Sequence, residues 1–337
     1  MAYDVSTGAL LCGSCGHRIN IINDASKVVE HPLTRARLSD MKTGERTSTT
    51  MECKGCGAKI EVDAACTALE CPYCGNHYVL ADVQEDSIPP DGIVPFRIDH
   101  QQVGEIFRKW MEQRKFAPNA LKTLYESGKL SGMYLPFYTF DADTHVYYTA
   151  MGGRNRIVQK RKPDGTVYSV TETEWFCTSG TFDHLFDDIL VRATEHMNSA
   201  LLDAVEPFGT QRAASWSPDY FAGYRAECFT RSLESGHQEA RSEMERKLVS
   251  LAQSDVRSRF DAVKDVKLQS DYRRETFKYL MLPVYTTSYR FQDQIYQVII
   301  NGETGKISGT YPKSPVKIIL FIVVIIVVIV LLVHLAG

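Results

Sequence analysis

The sequence lacks an excess of positive charge. Lys and Arg total 38 against 41 Asp and Glu, so the formal net charge of the 337 residues is −3. Proteins with a general affinity for DNA or RNA usually carry a basic balance, because they must neutralise phosphates. The charge therefore argues against nucleic acid as the main partner.

Signature motifs of several enzyme classes are also absent. There is no Gly-x-x-x-x-Gly-Lys-Ser/Thr phosphate loop, no Gly-x-Ser-x-Gly elbow and no His-Glu-x-x-His zinc-protease helix. The segment 301–306, Asn-Gly-Glu-Thr-Gly-Lys, has the wrong spacing for a phosphate loop, and strand-like residues flank it, so we predict a hairpin turn. Asp183/His184 and Asp187/Asp188 could be drawn as an acid–base cluster, but such groupings are ordinary on solvated surfaces. We predict that the chain is not an enzyme.

The N-terminus has neither the basic start nor the apolar run of a signal peptide, so we expect no N-terminal export signal. Nine cysteines are present, and six of them form three Cys-x-x-Cys pairs. Paired cysteines in an intracellular chain hold metal more often than they form disulfides. The cysteine pattern thus directs attention to metal binding.

Two Cys-x-x-Cys-Gly knuckles lie close together. Cys53 and Cys56 form the first and Cys71 and Cys74 the second, with fourteen residues between the pairs. Four thiolates suit the tetrahedral coordination of Zn²⁺, and they leave no open position for water or substrate. We therefore predict a structural zinc ribbon at residues 51–82.

A third pair, Cys12 and Cys15, has the look of a knuckle, but no second pair follows it before the ribbon. His17 and His31 would complete a Cys₂His₂ zinc set, and the alternative is a degenerate knuckle without metal. The later part of residues 1–50 is polar and rich in Thr and Ser, which predicts a mobile connector.

The C-terminal region contains sixteen consecutive Ile, Leu, Val or Phe residues, Ile318–Val333. A buried strand of that length would be far beyond the usual range, whereas about 20 helical residues span a bilayer. Insertion of such a helix is favourable by about 5 to 10 kcal/mol. We predict a neck and a transmembrane anchor at 312–337, with Pro312 and Pro315 stiffening the neck that separates anchor and body.

The charges beside the anchor predict its orientation. Lys313 and Lys317 precede the apolar run, and no basic residue follows it. Basic residues favour the cytoplasmic side of a membrane. We therefore expect a single-pass protein of the inner (cytoplasmic) membrane, anchored by its tail, with the bulk of the chain in the cytoplasm.

Between ribbon and anchor, the pattern predicts a linker at 83–92 and an α+β body at 93–311. Asp99 can cap a helix whose apolar stripe starts at Val103, and Asp164–Gly165 predicts a hairpin turn. Further predicted elements are strands at 93–98, 133–150, 279–289 and 294–300 and helices near 120–126, 193–204 and 230–260.

Two short echoes suggest a two-fold internal repeat in this body. The sequence Tyr-Leu-Pro-Phe-Tyr at 134–138 resembles Met-Leu-Pro-Val-Tyr at 281–285, and Val-Pro-Phe at 94–96 resembles Glu-Pro-Phe at 206–208. Two related halves sharing an antiparallel sheet would explain both echoes. Chance is the alternative, because the matching segments are short.

These motifs occur in a fixed order: Cys-Pro-Tyr-Cys-Gly-Asn, Val-Pro-Phe, Gly-Met-Tyr-Leu-Pro-Phe, Glu-Pro-Phe and Asn-Gly-x-Thr-Gly-Lys. From about Cys53 to Lys317 the chain resembles bacterial zinc-ribbon membrane proteins, often labelled primosomal-helicase-like, replication-factor-like or TFIIB-type. The helicase label finds no support, since no ATP-binding motif is present.

The resemblance implies a protein that is not an enzyme and whose ribbon cysteines hold zinc. Some members are similar to the membrane component of PspA-type envelope-stress operons, where a ribbon-bearing protein helps recruit a flotillin-like (SPFH-domain) protein and PspA. The family tends to have two full N-terminal ribbons, and this chain lacks the second knuckle of the first. That departure leaves the role of Cys12 and Cys15 open.

We therefore expect a membrane-anchored scaffold whose ribbon and α+β body recruit partner proteins. The alternative is a membrane-tethered nucleic-acid binder that uses the ribbon, but acidic residues outnumber basic ones there: Lys54 and Lys59 against Glu52, Glu61, Asp63 and Glu70. Such a binder would lose affinity steeply with salt.

Overall fold

The computed structural model describes residues 1–21, 28–35, 38, 49–52, 59–62, 68–70, 77–79, 89–118, 130–195, 197–227, 229–291 and 294–336. The described part is a mixed α+β structure, as predicted. Its α-helices are α1 (His100–Glu112), α2 (Ser199–Val205), α3 (Leu233–Arg257) and α4 (Pro315–Ala336).

The strands form one large sheet and three small ones. The small sheets comprise β1 (Ala2–Asp4), β2 (Ala9–Leu11) and β3 (Arg18–Asn20); β5 (Thr49–Glu52) and β6 (Lys59–Val62); and β7 (Ala68–Glu70) and β8 (His77–Val79). The large sheet comprises β4 (His31–Pro32), β9 (Gly92–Ile93), β10 (Ser131–Arg161), β11 (Val167–Arg192), β12 (Ala214–Ser215), β13 (Arg225–Ala226), β14 (Ala262–Phe291), β15 (Gln294–Asn301) and β16 (Ile307–Gly309).

The large sheet is built around the antiparallel pair β10 and β14. Its main order is β11-β10-β14-β15-β16, so two long hairpins lie side by side with β10 and β14 in contact. The register places Leu135 opposite Leu282, with the neighbouring Pro136 and Pro283 one residue away on either strand. The two Leu-Pro segments noticed in the sequence therefore face each other at the centre of the sheet.

Alternate residues of these strands enter two cores, one on each face. On one face Tyr138, Phe140 and Tyr285 pack with the buried stripes of α1 and α3. On the other, Phe137 and Leu282 pack with the residues of α2. This sheet between helices is the expected consequence of a strand period of two with both faces apolar.

Helix α1 forms where the sequence predicts it. Asp99 accepts a hydrogen bond from the backbone N–H of Gln102 (2.8 Å), and the Gln102 side chain accepts one from the Asp99 backbone (3.0 Å), which makes a capping box. The buried face contains Val103, where the predicted apolar stripe starts, together with Phe107, Trp110 and Met111.

The long strands are bent by bulges. Their register shifts around Asp141 on both sides, and again near Ala150. Each shift contains a residue with positive φ: Asp188 (55°), Arg274 (50°) and Asp265 (53°). Because bulges strengthen local twist and bend the strand, they divide the sheet into a basal part and a projecting arm. We define the arm as Asp143–Arg161, Val167–Leu185 and Ala262–Arg273.

Helix α3 covers one face of the arm. Ala252 and Val256 pack against Tyr148 and Ala150, close to the place where β14 begins. Beyond this point β10 and β11 continue as a two-stranded ribbon, closed by the predicted turn in which Gly165 has φ 87°. We call residues 156–161 and 167–172 the distal ribbon.

The N-terminal sheet packs against the body. The Tyr3 N–H donates to the Ala222 carbonyl (2.7 Å), and the Tyr3 ring lies 5.3 Å from that of Tyr220. His31 in β4 pairs with Phe277 in β14. Residues that the sequence assigns to the segment 1–50 thus contribute to the core of the body.

The structure differs from the predicted elements in three places. The strand predicted at 93–98 is limited to β9, because the N–H groups of Arg97 and Ile98 turn to the Gly302 carbonyl (2.9 and 3.0 Å). Helix α2 begins at Ser199, not at 193, with Asn198 as its N-cap. The first half of β14, 262–278, is a strand that the sequence did not predict. The helix predicted near 120–126 lies outside the described residues.

Candidate functional site

The predicted zinc ligands Cys53, Cys56, Cys71 and Cys74 lie outside the described residues, but the strands beside them are described. β5 pairs with β6 with Glu52 opposite Lys59, and β7 pairs with β8 with Glu70 opposite His77. In the sequence, each cysteine pair therefore lies between the two strands of an antiparallel hairpin. Four cysteines at these positions in the sequence are the residue types of a structural Zn²⁺ site, which stays a prediction.

The pair Cys12 and Cys15 is described, and it forms a tight turn between β2 and β3. The Gly16 N–H donates to the Cys12 carbonyl (2.9 Å), and the Cys12 N–H donates to the His17 carbonyl (2.9 Å). Gly16 has φ 71°, in the left-handed region that favours glycine. The geometry is that of a knuckle, as the sequence indicates.

Hydrogen bonding in this turn activates one thiol. The backbone N–H groups of Cys15 and Ser14, and the thiol of Cys15, lower the pKa of Cys12 to about 7. A thiolate is the form that binds metal. However, His31, one of the two predicted additional ligands, places its Nε2 atom 2.6 Å from Asp91 Oδ1 in the body. The structure thus gives this knuckle two thiols without His31 as a third ligand.

The residues considered as an acid–base cluster each have a different partner. Asp183 lies 2.7 Å from His145 Nδ1 across the strand pair. The His184 ring packs edge-on against Phe186, and burial lowers the pKa of His184. Asp187 instead accepts from Gln211 (2.9 Å).

Sequence reasoning missed the acidic group that the bulge does create. Carboxylate oxygens of Asp141, Asp187 and Asp188 lie within 4.8 Å of one another. Asp141 Oδ1 accepts a hydrogen bond from the backbone N–H of Asp188 (2.5 Å), so this carboxylate satisfies a backbone donor in the bulge. Burial raises the pKa of Asp141. Only the tertiary bulge brings these residues together, since Asp141 and Asp188 are on different strands.

A lysine already pairs with one carboxylate of this acidic group. Lys278 Nζ lies 2.6 Å from Asp188 Oδ1 and 3.0 Å from Glu30 Oε1, and only 9% of its side chain is exposed. Burial alone would lower the pKa of Lys278, but the hydrogen bonds to Asp188 and Glu30 outweigh burial and raise it. The group is therefore a buried ion-pair network that holds the bend of the sheet, with its cation supplied by the chain.

The turn at 301–306 is a hairpin turn, as predicted, and it also organises a neighbouring loop. The Asn301 amide donates to the carbonyls of Val205 (3.0 Å) and Pro207 (3.1 Å), and its oxygen accepts from the Glu303 N–H (2.9 Å). Glu303, almost fully buried, accepts from Arg212 (2.7 Å). The motif that resembles a phosphate loop is therefore occupied by structural contacts.

The face of the arm opposite α3 is open. Tyr147, Thr149, Met151 and Cys177 line a shallow concavity of about 460 Å³ there. No residue of the distal ribbon is buried: Ile157 is 77% exposed, Val167 49% and Tyr168 41%. In the described part of the chain, β11 is an edge strand of the large sheet. The arm thus presents apolar side chains and an open strand edge together.

Helix α4 is long and apolar enough to cross a membrane. The segment Pro315–Leu335 is strongly apolar, and none of its residues is buried in the fold. It is the one such helix among the described residues.

The base of α4 is fixed to the body. The Ser314 N–H donates to the Phe116 carbonyl (2.8 Å), and Lys317 Nζ donates to the Ala117 carbonyl (2.6 Å). The Phe116 and Phe321 rings lie 5.4 Å apart. These contacts join the base of the anchor helix to the body, while the stiffness of the neck at Pro312 and Pro315 stays a prediction. We call this contact region the junction.

Comparison with known proteins identifies a relative for nearly the whole chain. The chain is 30% identical over 321 residues to "Uncharacterized protein YdjG" of Bacillus subtilis (strain 168), which covers 94% of this chain and 89% of YdjG. No model of a known protein family matches the chain, and no solved structure matches it significantly.

Proposed function

The chain belongs to the same family as YdjG of Bacillus subtilis, and we propose that it is a tail-anchored membrane scaffold that recruits partner proteins and is not an enzyme. Helix α4 inserts in the membrane, with the body and the zinc ribbon on the cytoplasmic side of the inner membrane. The arm carries the partner-docking surface. The observation that carries the proposal is the distal ribbon with its exposed apolar side chains.

Two physical arguments support docking on the arm. A two-stranded hairpin is marginally stable alone in water, and the distal ribbon has no buried residue of its own. A long edge strand also offers a row of unpaired backbone groups to a strand of another protein. A partner that covers Ile157 and Tyr168 and adds a strand beside β11 would bury these side chains and pair the backbone groups of the edge.

The resemblance to membrane components of PspA-type operons suggests the class of partner. Flotillin-like (SPFH-domain) and PspA-like proteins are the candidates, and response to envelope stress is the proposed setting.

Affinity capture from detergent-solubilised membranes tests this proposal. Full-length chain should recover a stable protein partner, whereas a variant with Ile157→Lys and Tyr168→Lys should lose at least nine-tenths of it. A matched variant with Ile19→Lys and Val29→Lys, both at exposed apolar positions outside the arm and the anchor, should retain the partner. Failure to recover any partner, or equal recovery by all three proteins, would count against docking on the ribbon.

The zinc part of the proposal rests on the cysteine spacing and the paired strands beside each knuckle. Zinc held by Cys53, Cys56, Cys71 and Cys74 would supply much of the stability of a ribbon with so little apolar core. Metal analysis of the purified chain should give at least one zinc per chain, and Cys71→Ser/Cys74→Ser should remove it. A zinc content unchanged in that variant would contradict the assignment.

The same measurement on Cys12→Ser/Cys15→Ser decides the open knuckle. A zinc content about one ion per chain below that of wild type would assign metal to the Cys12–Cys15 turn. An unchanged content would leave it a degenerate knuckle, as in the alternative drawn from the sequence.

A further inference from the structure

The junction places a particular part of the body at the membrane surface. Helix α4 enters the membrane from Pro315, and its first turns are bonded to the segment that follows α1. Tyr311, just before the neck, packs against Trp110 at the end of α1 with ring centroids 6.0 Å apart. With α4 inserted in a bilayer, the C-terminal end of α1 and residues 113–117 would lie where the bilayer begins.

This part of the chain is strongly basic. Residues 105–117 and 312–317 together contain six cationic side chains and two acidic ones, a net charge of +4 in a chain whose net charge is −3. The cations are Arg108, Lys109, Arg114, Lys115, Lys313 and Lys317. Two of them lie in the sequence beside the anchor, and the fold brings the other four from about 200 residues away.

Most of these cations face solvent. Arg108, Lys109, Lys115 and Lys313 are exposed. Arg114 is different, because its guanidinium stacks over the Trp110 ring at 4.4 Å. Its role is to join α1 to the neck, and the four exposed cations remain directed outward.

With α4 inserted, Phe116 would lie close to the level of the headgroups. Its ring contacts Phe321, one helical turn inside the apolar run that starts at Ile318. Phe321 is six residues from the start of α4, or about 9 Å along the helix axis. An aromatic ring at that level is in the interface that aromatic side chains favour.

We propose that the C-terminal end of α1 and residues 113–117 form a docking surface for anionic lipid headgroups, with Arg108, Lys109, Lys115 and Lys313 as the contacting cations and Phe116 as the inserted ring. The surface holds the body against the bilayer in one orientation, so that the arm is not free to swing. The inference rests on the proposed membrane span of α4. Charge complementarity and continuity with α4 select a lipid surface as the occupant.

A photo-crosslinking residue tests the contact in the full-length protein. Benzoyl-phenylalanine replaces Phe116, which keeps an aromatic ring, and the protein is placed in nanodiscs of phosphatidylcholine alone or mixed with phosphatidylglycerol. Mass spectrometry then measures lipid adducts after illumination. The surface predicts several-fold more adduct in the anionic discs, and loss of that gain in high salt, because salt screens exposed charges.

Matched variants isolate the charges. The variant Arg108→Gln/Lys109→Gln/Lys115→Gln should weaken docking on anionic discs. The ratio of docked to undocked protein, followed by adduct formation at position 116, should fall by about fivefold for each cation removed. Arg156→Gln/Lys160→Gln/Arg161→Gln makes the same charge change on the distal ribbon and should leave adduct formation at position 116 unchanged. The photo-reactive residue at position 168, also on the ribbon, gives the background.

The outcomes separate the two proposals. Adduct at position 116 that equals the background at 168, or that responds neither to anionic lipid nor to the α1 variant, would overturn the docking surface while α4 remains inserted. A chain that fails to enter nanodiscs, and stays in the lipid-free fraction, would overturn the membrane span itself.

Discussion

The basal part of the large sheet and its distal ribbon belong to the same two strands, β10 and β11, yet they have opposite surroundings. Leu135 near the start of β10 is fully buried between strand neighbours and α2, whereas Ile157 near its end is 77% exposed. The pairing of β10 with β11 runs from Phe137 to Arg161 and is interrupted only by the bulge at Asp141. The comparison shows that hydrogen bonding alone extends the sheet, while side-chain packing decides which part forms the core.

The difference has a functional meaning. Helices cover both faces of the basal part, and α3 covers one face of the arm as far as its end at Arg257. Beyond it the ribbon keeps apolar side chains that the described part of the chain leaves uncovered. We infer that stability resides in the basal part and partner binding in the ribbon, which the following variants can break or sharpen.

The largest expected effect is in the basal core. Leu135→Ala removes a fully buried side chain from the cluster around Phe137 and Leu282, so we expect unfolding free energy to fall by about 2 to 5 kcal/mol. Leu185→Ala on the arm is the matched control, because Leu185 is 66% exposed and should cost no more than about 0.5 kcal/mol. Thermal unfolding of the full-length protein in detergent measures both, and equal losses would contradict the division.

A somewhat smaller effect is expected at the 301–306 turn. Asn301→Ala removes the side chain that bonds two carbonyls of the 205–207 loop and two N–H groups of the turn. Because these groups are buried, we expect a loss of about 2 to 4 kcal/mol in the same assay. Asn155→Ala, at an exposed position with one side-chain contact to Thr173, should change stability by about 0.5 kcal/mol or less.

The described structure also shows which elements sequence patterns can and cannot predict. Helix α1, the turn at Gly165 and the apolar anchor were predictable, since local capping, turn chemistry and length decide them. The first half of β14 was not, because its alternation is hidden among charged residues such as Lys264, Lys267 and Asp271.

Contacts between distant residues set the other limit. Three contacts join residues 40 or more positions apart: Asp141 accepts from the Asp188 N–H, Lys278 pairs with Asp188, and Lys317 donates to the Ala117 carbonyl. No local spacing signals such pairs. The identity of Cys53 and Cys74 as zinc ligands stays a prediction, because it lies outside the described residues.

The effect of pH on the stability of the basal part should be smaller than the effect of Asn301→Ala. Burial, followed by the charges of Asp203 and Glu243, raises the pKa of Glu206 to about 7, above its ordinary value of 4.5. The folded state therefore binds this proton more tightly than the unfolded state, so stability is greatest below about pH 4.5 and falls as pH rises through 7. Allowing for solvent screening of this half-buried group, we expect about 1 kcal/mol.

Unfolding midpoints of wild type and Glu206→Gln at pH 5.5 and 8 check this. The variant should lose less stability than wild type between the two values. An identical pH dependence in both proteins would show that Glu206 does not contribute.

The smallest effect on stability is expected in the distal ribbon. Ile157→Ser/Tyr168→Ser should shift the unfolding free energy by about 0.5 kcal/mol or less, since both side chains are already exposed. The same variant should nevertheless fail to retain a partner in affinity capture. A large loss of stability would mean that the ribbon belongs to the core of the protein, and the comparison would no longer hold.

The membrane span of α4 is the claim on which the scaffold depends, and alkaline washing of membranes tests it most directly. The full-length chain should remain in the membrane pellet and require detergent for release, because residues 318–333 of α4 are all apolar and none is buried in the fold. A chain ending at Ser314 should move to the supernatant. Recovery of the full-length chain in the supernatant without detergent would contradict the account.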